Sequence, residues 1–541
     1  MGTADTIFAT GNILLAQGRT DEAIALYRNA VQLSPGHAGV RTNLGIALVR
    51  LRQFDEALVC FRAAAALQPS SAAAQGNLAR VLGDLGRTDE AIACHRRACM
   101  LSPEAPAAHF DLAQALHIAE RLDEAFTAYH AWLSLAPEDA PERALVHNNI
   151  GNILRKQDQP DRAVASYRIA SQLQPMSAEI LVNLGNALIQ QRHLSEAEQC
   201  FRTAVRIRPQ HVDGHAGLAL ALLTEGALAE GFSEYEWRWQ TPQMIRSARA
   251  FEQPQWTGEP AAGRTLLIHA EQGFGDTLQF CRYAPLAAAR GMRVVLEVQR
   301  PLQRLLQRLP GVGTVIARGD TLPPFDLHCP MLSLPLAFGT TLGSIPSEPC
   351  LDADPIAVAA WAERLQAMCE PPTGGQPRDL LIGLVWAGNP YRGSPVLEAV
   401  DRRRSVPPGL LRPLFDVPGA RFVSLQKERV TTPGDARLLE PMDAVADFAD
   451  TAALVSNLDL VITVDTAVAH LAASLGRPVW LLDRFDACWR WHDGRRDSPW
   501  YPGLRIYRQA GPGEWNGLLI EVEHDLRSLA SAARTSELRR R

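Results

Sequence analysis

The sequence predicts an α-helical solenoid followed by an α/β region holding two parallel sheets. Three observations carry this. Proline recurs at Pro35, Pro69, Pro103, Pro137, Pro175 and Pro209, at spacings of 34, 34, 34, 38 and 34 residues, the mark of one helical unit used repeatedly. From Gln255-Trp256-Thr257-Gly258 onward, helical periodicity gives way to short apolar runs between Gly and Pro. Within that region Leu460-Val461-Ile462-Thr463-Val464 is a β-branched run suited to burial on both faces, and Val479-Trp480-Leu481-Leu482 follows after a short helical stretch.

Each repeating proline carries other residues in phase. Alanine stands twelve positions before it, at Ala23, Ala57, Ala91, Ala125, Ala163 and Ala197. A ring stands eight before, at Tyr27, Phe61, His95, Tyr129, Tyr167 and Phe201, and Gly11, Gly45, Gly151, Gly185 and Gly217 mark the small position of each first helix. The pattern matches the tetratricopeptide repeat: paired antiparallel helices, with a ring filling the gap between neighbouring units and proline ending the second helix. The 38-residue step reads as a longer turn around Glu138 to Glu142. About six full repeats are expected over residues 1–243, with a degenerate seventh from about 210 to 240 that loses phase in Glu234-Tyr235-Glu236-Trp237-Arg238-Trp239. Such arrays stack into a curved solenoid that holds extended peptide, which implies a protein partner and no particular chemistry. A dimerisation arm or spacer is the plainer alternative.

At 541 residues the chain exceeds a single core. Hydrophobic content of 47%, charge content of 21% and a net charge of −5 describe an ordinary soluble protein and give no reason to expect nucleic acid or an anionic membrane as partner. No apolar run spans a bilayer, and the opening MGTADTIFATGNILL lacks the basic start of a secretory signal. Met1-Gly2 with Thr6 fits the loose myristoylation pattern, although the same segment serves as the first repeat helix. The nine cysteines are odd in number, scattered and without a Cys-x-x-Cys pair, so free thiols in a reducing cytoplasm are expected. Of 54 basic residues only Lys156 and Lys427 are lysines. With abundant alanine, this suggests a GC-rich bacterial genome.

Two blocks of alternating strands and helices follow the repeats. The first, 255–355, holds Leu266-Leu267-Ile268, Val294-Val295-Leu296 and Val315-Ile316. The second, 378–532, holds Leu381 to Trp386, Phe422 to Leu425, Leu460 to Val464, Val479 to Leu482 and Arg505 to Tyr507. A Pro/Gly-rich linker, PPTGGQPRD, separates them, a closing helix lies near 517–530, and 533–541 forms a basic tail. Two such blocks imply paired Rossmann-like domains facing each other across a cleft, similar to the GT-B glycosyltransferases. A dinucleotide-binding fingerprint is rejected, because Gly273 and Gly275 are followed by Leu278 where a third glycine belongs.

The segment VDTAVAHLAASLGRPV, beginning at Val464, resembles the donor-binding motif of bacterial heptosyltransferase-like glycosyltransferases, whose Asp-Thr pair and downstream His contact the nucleotide-sugar. Its strand-to-helix turn offers free N–H groups and the positive end of a helix dipole to phosphate. The resemblance assigns Asp465, Thr466, Ala467 and His470 to the donor. The bland reading has Asp465 capping a helix from Thr466 to Ser474 and His470 packing beneath the sheet. Glu271-Gln272-Gly273-Phe274-Gly275-Asp276-Thr277 is similar to the Gly-Asp turn of the same family, whose Asp is the proposed base. Asp276 takes that catalytic position and Gly275 lies beside it, the alternative being an N-cap of a helix from Thr277.

Other donor-binding candidates follow strand ends. Asn389 lies in Trp386-Ala387-Gly388-Asn389-Pro390, and Arg404 with Ser405 supplies the cation that the resemblance requires for the departing diphosphate. Arg402-Arg403-Arg404 could equally be a solvated surface, and the insertion Tyr391 to Val400 leaves the register open. Gln426 and Lys427 end another strand, and Asp450 could wall the nucleoside or cap a helix. Asp483 and Trp489-Arg490-Trp491-His492 could shape the sugar or acceptor pocket. Asp352-Ala353-Asp354 reads D-x-D but sits in a connection, so no metal is expected, and no cofactor beyond the nucleoside-diphosphate sugar. The layout, solenoid then transferase, is similar to that of protein O-GlcNAc transferases. The expected activity is an inverting, metal-independent hexosyl or heptosyl transfer to an acceptor, a protein held by the repeats. An interaction scaffold with a degenerate transferase domain is the alternative.

Overall fold

The computed structural model describes residues 3–369, 378–388, 395–427, 433–435 and 437–540. The chain divides into two compact units, 1–187 and 188–541. A helical repeat array occupies 3–247 and two α/β sheets follow.

The first unit consists of antiparallel helix pairs, beginning Thr3–Ala16 with Thr20–Leu33 and Ala38–Arg50 with Phe54–Leu67. Its core is the in-phase alanines and rings: Ala23, Tyr27, Ala57, Tyr129 and Tyr167 are all fully buried. Three of the rings pack differently from the sequence expectation. A Cβ added to Gly11, Gly45 or Gly151 would lie 2.7, 2.8 or 2.5 Å from the ring of Tyr27, Phe61 or Tyr167, each in the same helix pair. In these three pairs the ring fills the space inside a unit, whereas Phe201 meets Gly217 of the following unit, as the sequence expectation had it, with a Cβ there 2.2 Å from the ring.

The turn between paired helices hides a second regularity. Gly18, Arg52, Gly86, Glu120, Asp158, Arg192 and Gly226 all have positive φ. They share one phase, but only three are glycine, because a helix C-terminus tolerates other residues in the left-handed region at modest cost. Gly226 belongs to the seventh repeat, Val212–Glu225 with Leu228–Tyr235. That repeat thus keeps phase through its turn and loses it only where Glu236–Gln240 tightens to a 3-10 turn.

In the second unit, the first sheet contains β1 (Thr265–His269), β2 (Arg293–Val298), β3 (Val312–Ala317) and β4 (Leu327–Pro330), ordered β3-β2-β1-β4 and parallel throughout. The second contains β5 (Leu380–Val385), β6 (Ala420–Ser424), β7 (Leu438–Leu439), β8 (Leu460–Val464), β9 (Val479–Asp483), β10 (Asp497–Ser498) and β11 (Tyr501–Arg508). Its order is β10-β11-β9-β8-β5-β6-β7, and only β10 runs antiparallel. Sequence reading missed β4, of four residues, and β7 and β10, of two each, because strands so short carry little periodicity. The closing helix is Trp515–Arg540.

These topologies place the sites. Strand order reverses at β1/β4 in the first sheet and at β5/β8 in the second, and the crevice beyond the carboxyl ends at such a point is where α/β sheets bind ligands. The loops leaving β1, β5 and β8 are 270–273, 386–388 and 465–466. The two sheets are tied by buried Arg282, just after the helix that follows β1. Its Nη1 donates to the carbonyls of Pro346 (2.7 Å) and Trp500 (2.8 Å), and its guanidinium lies 4.6 Å over the Tyr501 ring.

Candidate functional site

The loop leaving β1 enters the helix Phe274–Phe280. Gly273 is its N-cap and Asp276 its third residue, so Asp276 is not the N-cap of a helix from Thr277. Its carboxylate reaches back to accept the Gly273 N–H at 3.0 Å. The other carboxylate oxygen pairs with Arg490 from the second sheet's side. Both side chains are 14% exposed, and Arg490 lies 4.4 Å over Trp489.

The loop leaving β8 faces this turn. Asp465, Thr466, Ala467 and Val468 are half-buried, and a Cβ added to Gly275 would lie 3.0 Å from His470 Cδ2 and 3.7 Å from Ala467 Cα. The helix is Ala467–Ser474, with extended Thr466 (φ −142°, ψ 170°) as N-cap. Asp465 therefore precedes the cap. Thr466 turns its hydroxyl to Thr463 at 3.1 Å instead of to the helix N–H groups, which leaves those donors to a ligand.

His470 is buried at 3% exposure, stacked on Trp491, with Nδ1 2.9 Å from the Tyr501 hydroxyl. Burial holds it well below the ordinary imidazole range, at about 4. It is a neutral ring between the two sheets' helices, against Gly275 and one turn into the helix that Thr466 caps. Asp483, also buried, pairs through Oδ2 with Arg508 while Oδ1 has no hydrogen-bond partner. Burial raises its carboxyl to about 6.

Three further candidates converge on the β5/β8 crevice. Arg404 ends the helix Pro395–Arg404; its Nε donates to Asp401 (2.9 Å) and its Nη1 to the Asp465 carbonyl (3.2 Å). Its guanidinium lies against Gly388, where a Cβ would come within 2.0 Å of Nη2. Ser405 Oγ accepts the Gly388 N–H at 3.3 Å. Gln426 joins Ala387 at both ends, accepting its N–H (3.2 Å) and donating to its carbonyl (3.1 Å). Of the arginine triplet only Arg402 is exposed, while Arg403 pairs with Asp486. Asn389 and Tyr391 to Ser394 of the insertion lie outside the described residues.

The other candidates have partners within the protein. Lys427 donates its ammonium to the carbonyls of Met442 and Val445. Asp447, not Asp450, caps the helix Phe448–Val455. Asp450 accepts the Ala446 N–H (3.0 Å) and, with Asp447, pairs with Arg304 of the first sheet's layer. Asp354 of the D-x-D caps the helix Pro355–Met368. Arg304, Arg282 and Tyr501 escaped sequence reading because nothing local distinguishes an arginine or tyrosine that reaches across a cleft.

Fold and site together define a helical-repeat protein joined to a two-sheet α/β unit in which a strand-to-helix turn of one sheet meets that of the other. The chain matches the family models for the tetratricopeptide repeat over 14–81 and over 78–140, 148–211 and 183–240, and that for glycosyltransferase family 9 (heptosyltransferase) over 442–482. It carries tetratricopeptide repeats and a glycosyltransferase family 9 domain. It is 28% identical over 340 residues to Protein FlbA of Caulobacter vibrioides, covering 57% of this chain and 54% of FlbA. The chain thus spans about half the length of that relative. Among solved structures it is similar to MamA (21% identity, 30% of this chain and 94% of that one, TM-score 0.29). It is also similar to PilF of Pseudomonas aeruginosa (17%, 39% and 93%, TM-score 0.34). No helix among the described residues is long and apolar enough to cross a membrane.

Proposed function

We propose that the α/β region transfers a sugar, with inversion and without metal, from a nucleoside-diphosphate sugar to an acceptor held by the repeat array, a protein. The observation that carries this reading is the meeting of the Gly273–Asp276 turn with the Asp465–Ala467 turn, each at the carboxyl edge of its own sheet. In the reaction Asp276 takes the acceptor hydroxyl's proton as that oxygen attacks the anomeric carbon. The bond from that carbon to the diphosphate oxygen breaks, and the nucleoside diphosphate leaves with the electron pair. The free N–H groups at the start of the Ala467–Ser474 helix and the Arg404 guanidinium stabilise the developing charge. Ser405, Gln426 and the Gly388 backbone set the donor crevice, and Asp465 orients the donor from the same turn. His470 keeps the turn in place as a packed neutral ring. Lys427 and Asp450 support the nucleoside wall from behind, through the 442–450 segment. For Asp276 to act, Arg490 has to release it; a diphosphate at the seat would attract that guanidinium. The proposed boundaries are 1–243 for the repeats, 255–355 for the acceptor half and 378–532 for the donor half. The nine cysteines form no disulfide, which suits a reducing cytoplasm.

The test is hydrolysis and transfer with UDP-, GDP-, ADP- and CMP-sugars, using wild type beside Asp276→Asn and Asp465→Ala. Turnover by wild type that Asp276→Asn loses supports the reading. Nucleotide binding without turnover of any donor would instead favour a scaffold.

A further inference from the structure

The seventh repeat grips both loops that deliver the Asp276–Arg490 pair. On the first sheet's side, Arg238 is buried at 6% exposure and Glu271 at 3%. Arg238 donates Nε to Glu271 Oε2 (2.8 Å) and Nη2 to Oε1 (3.0 Å), and reaches the Ser333 hydroxyl at 2.8 Å. Glu271 Oε1 also accepts the Leu332 N–H at 3.0 Å. The Tyr235 hydroxyl accepts from Gln272 Nε2 at 3.0 Å. Glu271 and Gln272 immediately precede the Gly273 N–H that Asp276 caps.

On the second sheet's side, the carbonyl of Leu223 accepts from His492 Nδ1 (3.0 Å) and that of Thr224 accepts the Asp493 N–H (2.9 Å). His492 is buried with φ 52°, a left-handed backbone that a non-glycine residue keeps only when its surroundings hold it. The rings of Phe232 and Tyr235 pack on Trp489, with centroids 5.8 and 6.1 Å away. Arg490 lies between these anchors. A terminal repeat ordinarily finishes with a polar outer face; this one buries Phe232, Arg238 and Leu223 instead.

We propose that the terminal repeat is a working part of the site: through Arg238 on Glu271, and through Leu223 and Thr224 on the 492–493 segment, it sets the separation between Asp276 and Arg490. Arg238 is then a positioning residue for transfer. This rests on the reading that Asp276 is the base. The repeat holds the acceptor-side loop by a buried, bidentate charge pair, whose geometry lysine reproduces only in part. The diphosphate seat at 465–467 has no contact with Arg238, so donor affinity and turnover separate.

The test compares the full chain with Arg238→Met and Arg238→Lys. Amide hydrogen exchange across 271–277 rises about tenfold in Arg238→Met, because local opening loses its main restraint. Turnover falls on the order of 100-fold at unchanged affinity for the nucleoside diphosphate, as a misplaced base demands. Arg238→Lys recovers part of both. Should Arg238→Met not fold, Tyr235→Phe, which removes only the Gln272 bond, gives the same local exchange change in smaller measure. Unchanged exchange at 271–277 overturns the proposal, and so does raised exchange with wild-type turnover. If wild type itself turns over no donor, the transferase reading fails separately, and exchange alone decides whether the repeat holds the loop.

Discussion

Replacing Gly388 with alanine separates donor binding from folding. The added Cβ would lie 2.0 Å from Arg404 Nη2, 2.2 Å from Nε and 2.3 Å from Cζ, overlaps that no small shift relieves. Gly388 is not among the positive-φ glycines, so alanine suits its backbone. The group that must move is the far end of a flexible side chain. Arg404 then loses Asp401 and the Asp465 carbonyl, contacts at 2.9 and 3.2 Å. The guanidinium is re-solvated, so the stability loss is about 1–2 kcal/mol. A guanidinium on a phosphate contributes roughly 1.5–3 kcal/mol, so diphosphate binding weakens about 10- to 150-fold. Calorimetric titration with the nucleoside diphosphate that most raises the wild-type melting temperature measures this directly. Arg404→Met reproduces the loss, and the double variant adds little to either, because both remove one contact. Wild-type affinity in Gly388→Ala would refute the placement of Arg404 on the leaving diphosphate.

The remaining predictions are more local. Asp276→Asn lowers transfer by at least about 100-fold with diphosphate affinity kept; it also costs about 3 kcal/mol of stability, because Arg490 is left buried without its counter-charge. His470, held at about 4 against an ordinary 6.5, costs stability as pH falls through that window, since only the unfolded chain takes the proton. Asp483, raised to about 6 from 3.8, does the reverse: the folded chain holds the proton, so stability rises as pH falls through 6. Each effect is worth up to about 3 kcal/mol and they oppose one another. Urea unfolding of Asp483→Asn between pH 6.5 and 4.5 therefore shows a steeper acid loss than wild type; equal slopes would contradict the assignment. Gly217→Ala, whose Cβ would lie 2.2 Å from the buried Phe201 ring, destabilises by about 1–3 kcal/mol in thermal melts.

Sequence alone determined the repeat period, the alanine and ring positions, the parallel strands at 266–268 and 460–464, and the two turns at Asp276 and Asp465. All of these are local, because a period or a strand-to-helix turn is encoded in neighbouring residues. Tertiary structure decided what those residues do. His470 shares the Thr466 turn in sequence, while packing stacks its ring on Trp491 and sets its Nδ1 against the Tyr501 hydroxyl. Lys427, a donor-binding candidate in sequence, holds carbonyls 15 and 18 residues away. Arg490 and Asp276 lie 214 residues apart, and Arg238 reaches Glu271 across a change of fold class. Charges are paired by the packing of distant elements, and no window of sequence contains that distance.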